Sequence, residues 1–176
     1  VPVGYTSAMP QSFKTRSFAI RVIAAAAFAA LLTVAFWAPK TSAQSSRLQE
    51  VAPGVWFRLG ESDQGHCNNT IIEMADYLIV IDANFPSGAE LAMADIKSVS
   101  SKPVKYVFDT HHHGDHLYGN PVWTKAGATT LAYHTVLQEI ERYEPKSWQS
   151  SAASRPDVAA LGLTTAEPPM EVFSQI

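Results

Sequence analysis

An α/β fold is what this sequence predicts, and two observations predict it. Strand-like runs alternate with helical patterns through the middle of the chain, and Tyr77–Asp82 (YLIVID) is apolar on both faces, as in a sheet covered on both sides. The length of 176 residues, with 47% apolar and 16% charged residues, limits the chain to one ordinary core.

The first segment stands apart from that core. Lys14, Arg16 and Arg21 precede an apolar run, Val22–Ala38, which is followed by Pro39 and the small residues Thr41-Ser42-Ala43. Basic, apolar and small-residue parts in this order read as a secretory signal peptide over residues 1–43, with Met9 as a plausible start and residues 44–176 as the exported domain. The alternative is a retained membrane anchor, because the apolar run approaches the length of a short spanning helix. Cleavage would leave a periplasmic or secreted protein with no membrane contact. Four of the thirteen basic residues and none of the sixteen acidic ones lie in residues 1–43, so nine face sixteen downstream, a formal −7. That balance excludes a nucleic-acid partner. Cys67 is the single cysteine, so no internal disulfide is available.

The remaining elements follow in order. Residues 45–50 are polar and read as a flexible start, and Val55–Leu59 as an edge strand after the Pro53-Gly54 break. Thr70–Met74 and Tyr77–Asp82 form a hairpin across Ala75-Asp76. Ser87-Gly88-Ala89-Glu90 has the form of a capping box and opens a helix to about Val99, with Leu91, Ile96 and Val99 as its apolar side. Val104–Phe108 is the next strand, Pro121–Ala126 a short helix, Thr129–Ala132 a strand and Thr135–Tyr143 a helix. Residues 150–155 are loop-like, and Pro156–Leu163 is a further short helix.

At the end of the strand Val104–Phe108, four histidines and an aspartate fall within six positions, His111-His112-His113-Gly114-Asp115-His116. Crowding titratable groups onto one turn is a poor structural choice, but imidazole and carboxylate are natural ligands of a borderline cation such as Zn²⁺. In an extended segment His111 and His113 point to one side and can grip one ion. Asp115 and His116, past a bend that Gly114 permits, face a neighbouring position. Two cations about 3.5–4 Å apart can lower the pKa of a shared water and polarise a carbonyl or phosphoryl oxygen, which is hydrolytic machinery. The bland alternative is a histidine-rich surface turn that picks up metal adventitiously.

The run Phe108-Asp109-Thr110-His111-His112-His113-Gly114-Asp115-His116-Leu117-Tyr118-Gly119-Asn120 resembles the signature of the metallo-β-lactamase superfamily. The likeness runs from about Val51 to about Ile140, through the first hairpin, which contains Asn68 and Asn69, the strand ending in Asp82, the helix after it, Lys102-Pro103-Val104 and Gly127-Ala128. It implies a four-layered αβ/βα sandwich with the metals at one edge between two sheets. It also implies two zinc ions, His111 and His113 on the first, Asp115 and His116 on the second, with Asp115 helping to position or deprotonate the attacking water. Asp82 is implied to support the metal-bearing loop through hydrogen bonds, against a plain turn-forming aspartate at a strand end.

Other residues make weaker claims. His112 is expected to face away from the ligands, and His134 to cap a helix or pack. His66 beside Cys67 is a weak soft-metal pair, and Cys67 is read as a packing residue or a free thiol. The family completes its site with later ligands, whereas no histidine follows His134 here, so only the N-terminal half of the sandwich is expected. An under-coordinated metal and an uncovered apolar sheet face would follow. The function expected is an exported metal-dependent hydrolase of a small ester, lactam, lactone or thioester. The alternatives are a mononuclear-iron sulfur dioxygenase of the same fold, or a non-catalytic metal-binding fragment.

Overall fold

The computed structural model describes residues 47–175, and the predicted leader lies outside them. No helix among the described residues is long and apolar enough to cross a membrane. The elements are β1 (Leu48–Ala52), β2 (Val55–Arg58), a 3₁₀ turn (Ser62–Gln64), β3 (Asn69–Glu73), β4 (Leu78–Ile81) and α1 (Pro86–Lys97). They continue with β5 (Val104–Asp109), α2 (Gly114–Leu117), α3 (Asn120–Lys125), β6 (Thr129–Tyr133), α4 (His134–Ser154), α5 (Pro156–Ala159) and β7 (Glu171–Phe173).

All seven strands join one sheet in sequence order. β1 to β4 pair antiparallel and β4 to β7 parallel. Parallel neighbours need crossovers, and successive right-handed crossovers through α1, α2–α3 and α4 put all these helices on one face. The register aligns Trp56, Ile71, Val80, Val107 and Thr130 in one row across five strands. This row faces the helices, and Ile71, Val80 and Val107 pack with Leu78, Ala89, Ala92, Ile96 and Trp123 in the main core. A second cluster, Leu117, Tyr118, Ile140, Trp148, Val158 and Ala166, seats α4 and α5 beside the histidine turn. On the opposite sheet face the adjacent row runs Phe57, Thr70, Ile81, Phe108 and Leu131. Its members are at most half-buried.

Several expectations need correction. The supposed flexible start contains β1, because Leu48 is buried in the core and Leu59 N–H donates to Arg47 O at 2.8 Å. β1 therefore displaces β2 from the sheet edge. The capping box does not form, because Phe85 is the N-cap and Pro86 already occupies the first turn. Ser87 instead donates its hydroxyl to Asp157 Oδ2 at 2.7 Å and lies 2.9 Å from His66 Nε2, bracing α1 against α5. Leu91 is 44% exposed and Val99 is likewise exposed, so the buried stripe of α1 is Ala89, Ala92 and Ile96. Small residues there let the helix lie close on the sheet.

The largest departure is α4. It passes through Pro145 and continues to Ser154, absorbing residues 150–154 that read as loop. Proline removes one intrahelical donor, but Glu144 and Trp148 on the buried side, and Ile140 a turn earlier, anchor the helix across the break.

Candidate metal centre

β5 ends at Asp109, and its continuation carries the histidines over the C-terminal edge of the parallel strands, where α/β sheets gather ligands. The turn is tied down from below. Asp109 is buried and accepts from Asn120 Nδ2 at 2.8 Å, and burial holds its carboxyl well above the usual carboxylate range despite that bond. From β4 comes Asp82, whose Oδ1 accepts from Thr110 N–H at 3.0 Å and from Thr110 Oγ1 at 2.6 Å. Asp82 and Asn84 both have left-handed backbone, at φ 70° and 67°, an uncommon conformation that here bends the β4–α1 connection under the histidine turn. Ala83 N–H then donates to His116 O at 2.8 Å, and Gly119 N–H to Asn84 O at 2.7 Å.

These bonds decide which imidazole nitrogens remain available. The single Thr110 hydroxyl proton goes to Asp82, so Thr110 Oγ1 accepts from His111 Nδ1, 3.0 Å away. His111 Nε2 is left with its lone pair. His116 Nδ1 lies 2.9 Å from Asp82 Oδ2, close enough for an ion pair although poorly aligned as a hydrogen bond, and His116 Nε2 lies 3.2 Å from Asp115 Oδ2. Burial lowers the His116 pKa, but the two carboxylates outweigh it and raise the imidazole to about 9. Burial raises Asp82 and Asp115, but bonds to His116, and to Thr110 for Asp82, bring both below the usual carboxylate range. His111 is lowered by burial and by the neighbouring His116 and His113.

The His111 ring lies 4.8 Å from that of His113 and 4.0 Å from that of His116. His112 stacks on Tyr143 with ring centroids 5.2 Å apart and meets the His113 ring at 4.6 Å, its Nδ1 3.2 Å from Glu144 Oε1. Glu144 also accepts from the Tyr118 hydroxyl, so one buried carboxyl from α4 grips both ends of the motif. Gly114 has no left-handed backbone and opens α2 instead of making a free bend. Its need is space, since a Cβ there would sit 2.5 Å from the Tyr118 ring.

Among the described residues, one group of three ligand-type atoms lies within 4.8 Å of one another, those of Cys67, Asp82 and His116. The predicted quartet His111, His113, Asp115 and His116 shares one turn but not so tight a cluster. Cys67 was read from sequence as a packing residue or free thiol. It is a buried free thiol, and it also joins Asp82, Asp115 and His116 in the wall of a cavity of about 590 Å³, with burial and those two carboxylates pushing its thiol up. Imidazole, carboxylate and thiol around a cleft are a donor set suited to a borderline divalent cation. Such an ion supplies Lewis acidity and a more acidic water when bound. His134, at the start of α4, is half-buried and lies against Tyr133 with the rings tilted, at 4.4 Å between centroids.

A single mixed sheet with helices on one face and a histidine–carboxylate turn at its C-terminal edge defines an α/β protein that gathers metal-ligand side chains at one sheet edge. The family model of the Metallo-beta-lactamase superfamily matches residues 62–175, and the chain belongs to that superfamily. Among solved structures it is similar to a metallo beta lactamase from Hirschia baltica, at 20% identity and a TM-score of 0.50, covering 73% of this chain and 53% of that one. It also matches a metallo beta lactamase from Erythrobacter litoralis with beta mercaptoethanol in the active site. There the identity is 24% and the TM-score 0.45, covering 52% of this chain and 42% of that one. The chain thus spans about half the length of the Hirschia baltica structure, consistent with part of the sandwich. No curated protein matches it.

Proposed function

We propose that these residues form the metal-gathering half of an exported metal-dependent hydrolase acting on a small ester, lactam, lactone or thioester. The observation that carries the reading is the polarity of the histidine turn. Thr110 engages His111 Nδ1, which leaves His111 Nε2 for a cation, while Asp82 faces His116 Nδ1 and His116 Nε2 points to Asp115, its partner ligand in this reading. In this reading His111 and His113 hold one zinc ion and Asp115 and His116 a second, while Asp82 orients the turn. Asp115 borders the cavity, where its carboxylate can accept a hydrogen bond from the attacking water and aim it at the substrate. A cavity of about 590 Å³ suits a small molecule. The leader of Lys14, Arg16 and Arg21, then Val22–Ala38, supports export. Because the chain spans about half of the related structures, hydrolysis is proposed for the complete protein.

Elemental analysis of the complete protein, purified without added metal, tests the reading beside assays on ester, lactam, lactone and thioester substrates. Zinc near two per chain with hydrolysis of one class is the expected result. One iron per chain with oxidation of a sulfur substrate would replace hydrolysis by the dioxygenase reading. Absence of both metals and of turnover would leave a non-catalytic protein.

A further inference from the structure

We propose that Cys67 is a thiolate ligand of the cation held by His116, a sulfur donor that the loop before β3 adds to a nitrogen and oxygen centre. The inference rests on the metal-binding reading above, and adds to it a donor that the histidine motif does not contain.

The ligand atoms of Cys67, Asp82 and His116 lie within 4.8 Å of one another, a separation that small side-chain rotations close onto an ion with Zn–S near 2.3 Å and Zn–N near 2.0 Å. Asp82 has little left to give, because Oδ1 is taken by Thr110 and Oδ2 faces His116 Nδ1. Cys67 Sγ, by contrast, bonds no other side chain among the described residues, and Cys67 lines the cavity beside Asp115 and His116.

The backbone that presents this sulfur is fixed from two sides. Asn84 Nδ2 donates to Cys67 O at 3.0 Å, from the same left-handed connection that underlies the histidine turn. Across the loop, Gly60 approaches so closely that a Cβ there would sit 2.3 Å from Cys67 O, and Gly60 N–H donates to Asn68 Oδ1 at 3.0 Å. Residues 60, 67, 84 and 116 are therefore one assembly. A cysteine only 8% exposed and walled by two carboxylates is a poor choice for packing alone, where alanine or valine would bury apolar surface without a polar hydrogen. A divalent cation makes sense of it, because its charge offsets both the thiolate and the carboxylates. On binding, the sulfur–metal bond forms as the S–H proton leaves to solvent, with no change of oxidation state. A sulfur donor also selects thiophilic ions such as Zn²⁺, Co²⁺ or Cd²⁺ over Mg²⁺ or Mn²⁺.

Titration of the metal-free full chain with Co²⁺, followed by absorption, tests the proposal. Cys67 is the sole cysteine, so a near-ultraviolet thiolate-to-cobalt charge-transfer band reports on it without any variant. The expected result is that band, growing in step with the visible d–d bands. In Cys67→Ser the charge-transfer band should vanish and the d–d bands persist, with cobalt affinity reduced about 100-fold. Visible bands without the charge-transfer band overturn the sulfur ligand and leave the histidine centre standing. No cobalt bands of either kind overturn both readings. Should Cys67→Ser not fold, the wild-type spectrum alone decides.

Discussion

The two faces of the sheet are built from almost the same side chains and meet different surroundings. Toward the helices, Ile71, Leu78, Val80 and Val107 are fully buried with Trp123 in the main core. On the other side, Phe57, Ile72, Ile79, Ile81, Tyr106, Phe108 and Leu131 are apolar too, yet only half-buried, or exposed in the case of Phe57. Tyr77, Tyr106, Phe108, Leu131 and Phe173 even line a shallow groove there. Residue type therefore states what a face is suited to, while its neighbours decide what it contributes to stability. Strands apolar on both sides are the mark of a sheet meant to be covered twice.

The comparison breaks first at Trp123. Its ring is fully buried and its Nε1 donates to Ala83 O at 2.9 Å, joining α3 to the connection beneath the histidine turn. Trp123→Ala should cost about 3–5 kcal/mol in urea denaturation. A cost under about 1 kcal/mol would mean that the helix-covered face is not the core. A sharper version uses two isoleucines adjacent in β3. Ile71 points to the helices and Ile72 to the open face. Ile71→Ala should cost about 2–5 kcal/mol and Ile72→Ala less than about 1 kcal/mol. Equal costs would show that the second face is covered in solution.

At the site, what was legible in sequence was local. The histidine turn and Asp82 stand out as candidates because the motif's spacing and the strand ends are written in consecutive residues. Cys67 could not, because it reaches the cavity through contacts from Gly60 and Asn84 that no short window contains. Glu144 was hidden differently. The helix read over Thr135–Tyr143 stops one residue short of this carboxyl, and nothing in the sequence linked it to His112. β1 escaped because LQEVA has one buried residue and four exposed ones. The α/β alternation survived all of this, since it depends on the order of elements and not on their exact ends.

Glu144 allows the next test. Glu144→Gln keeps the size of the side chain but weakens the acceptor shared by Tyr118 and His112. A loss of about 2 kcal/mol in stability is expected, with a fall in Zn²⁺ affinity of about tenfold. Competition with a chromophoric chelator reads the second quantity. Unchanged zinc affinity alongside reduced stability would confine Glu144 to holding α4.

The smallest effect is expected at Asp157, far from the sheet's open face, where α5 is fastened to α1. Its Oδ2 accepts from Ser87 Oγ at 2.7 Å and from Arg155 Nη2 at 3.1 Å. Burial pushes this carboxyl up, but the Ser87 and Arg155 bonds prevail and hold it below the ordinary carboxylate range. The folded protein therefore releases the Asp157 proton more readily than the unfolded chain does. Its contribution is complete above the unfolded pKa, near 4, and is lost as pH falls through the lower folded value. Asp157→Asn should cost about 1 kcal/mol at pH 7. The gap from wild type should narrow as denaturation is repeated at progressively lower pH. A gap that stays constant with pH would show that the carboxylate charge is not what fastens α5 to α1.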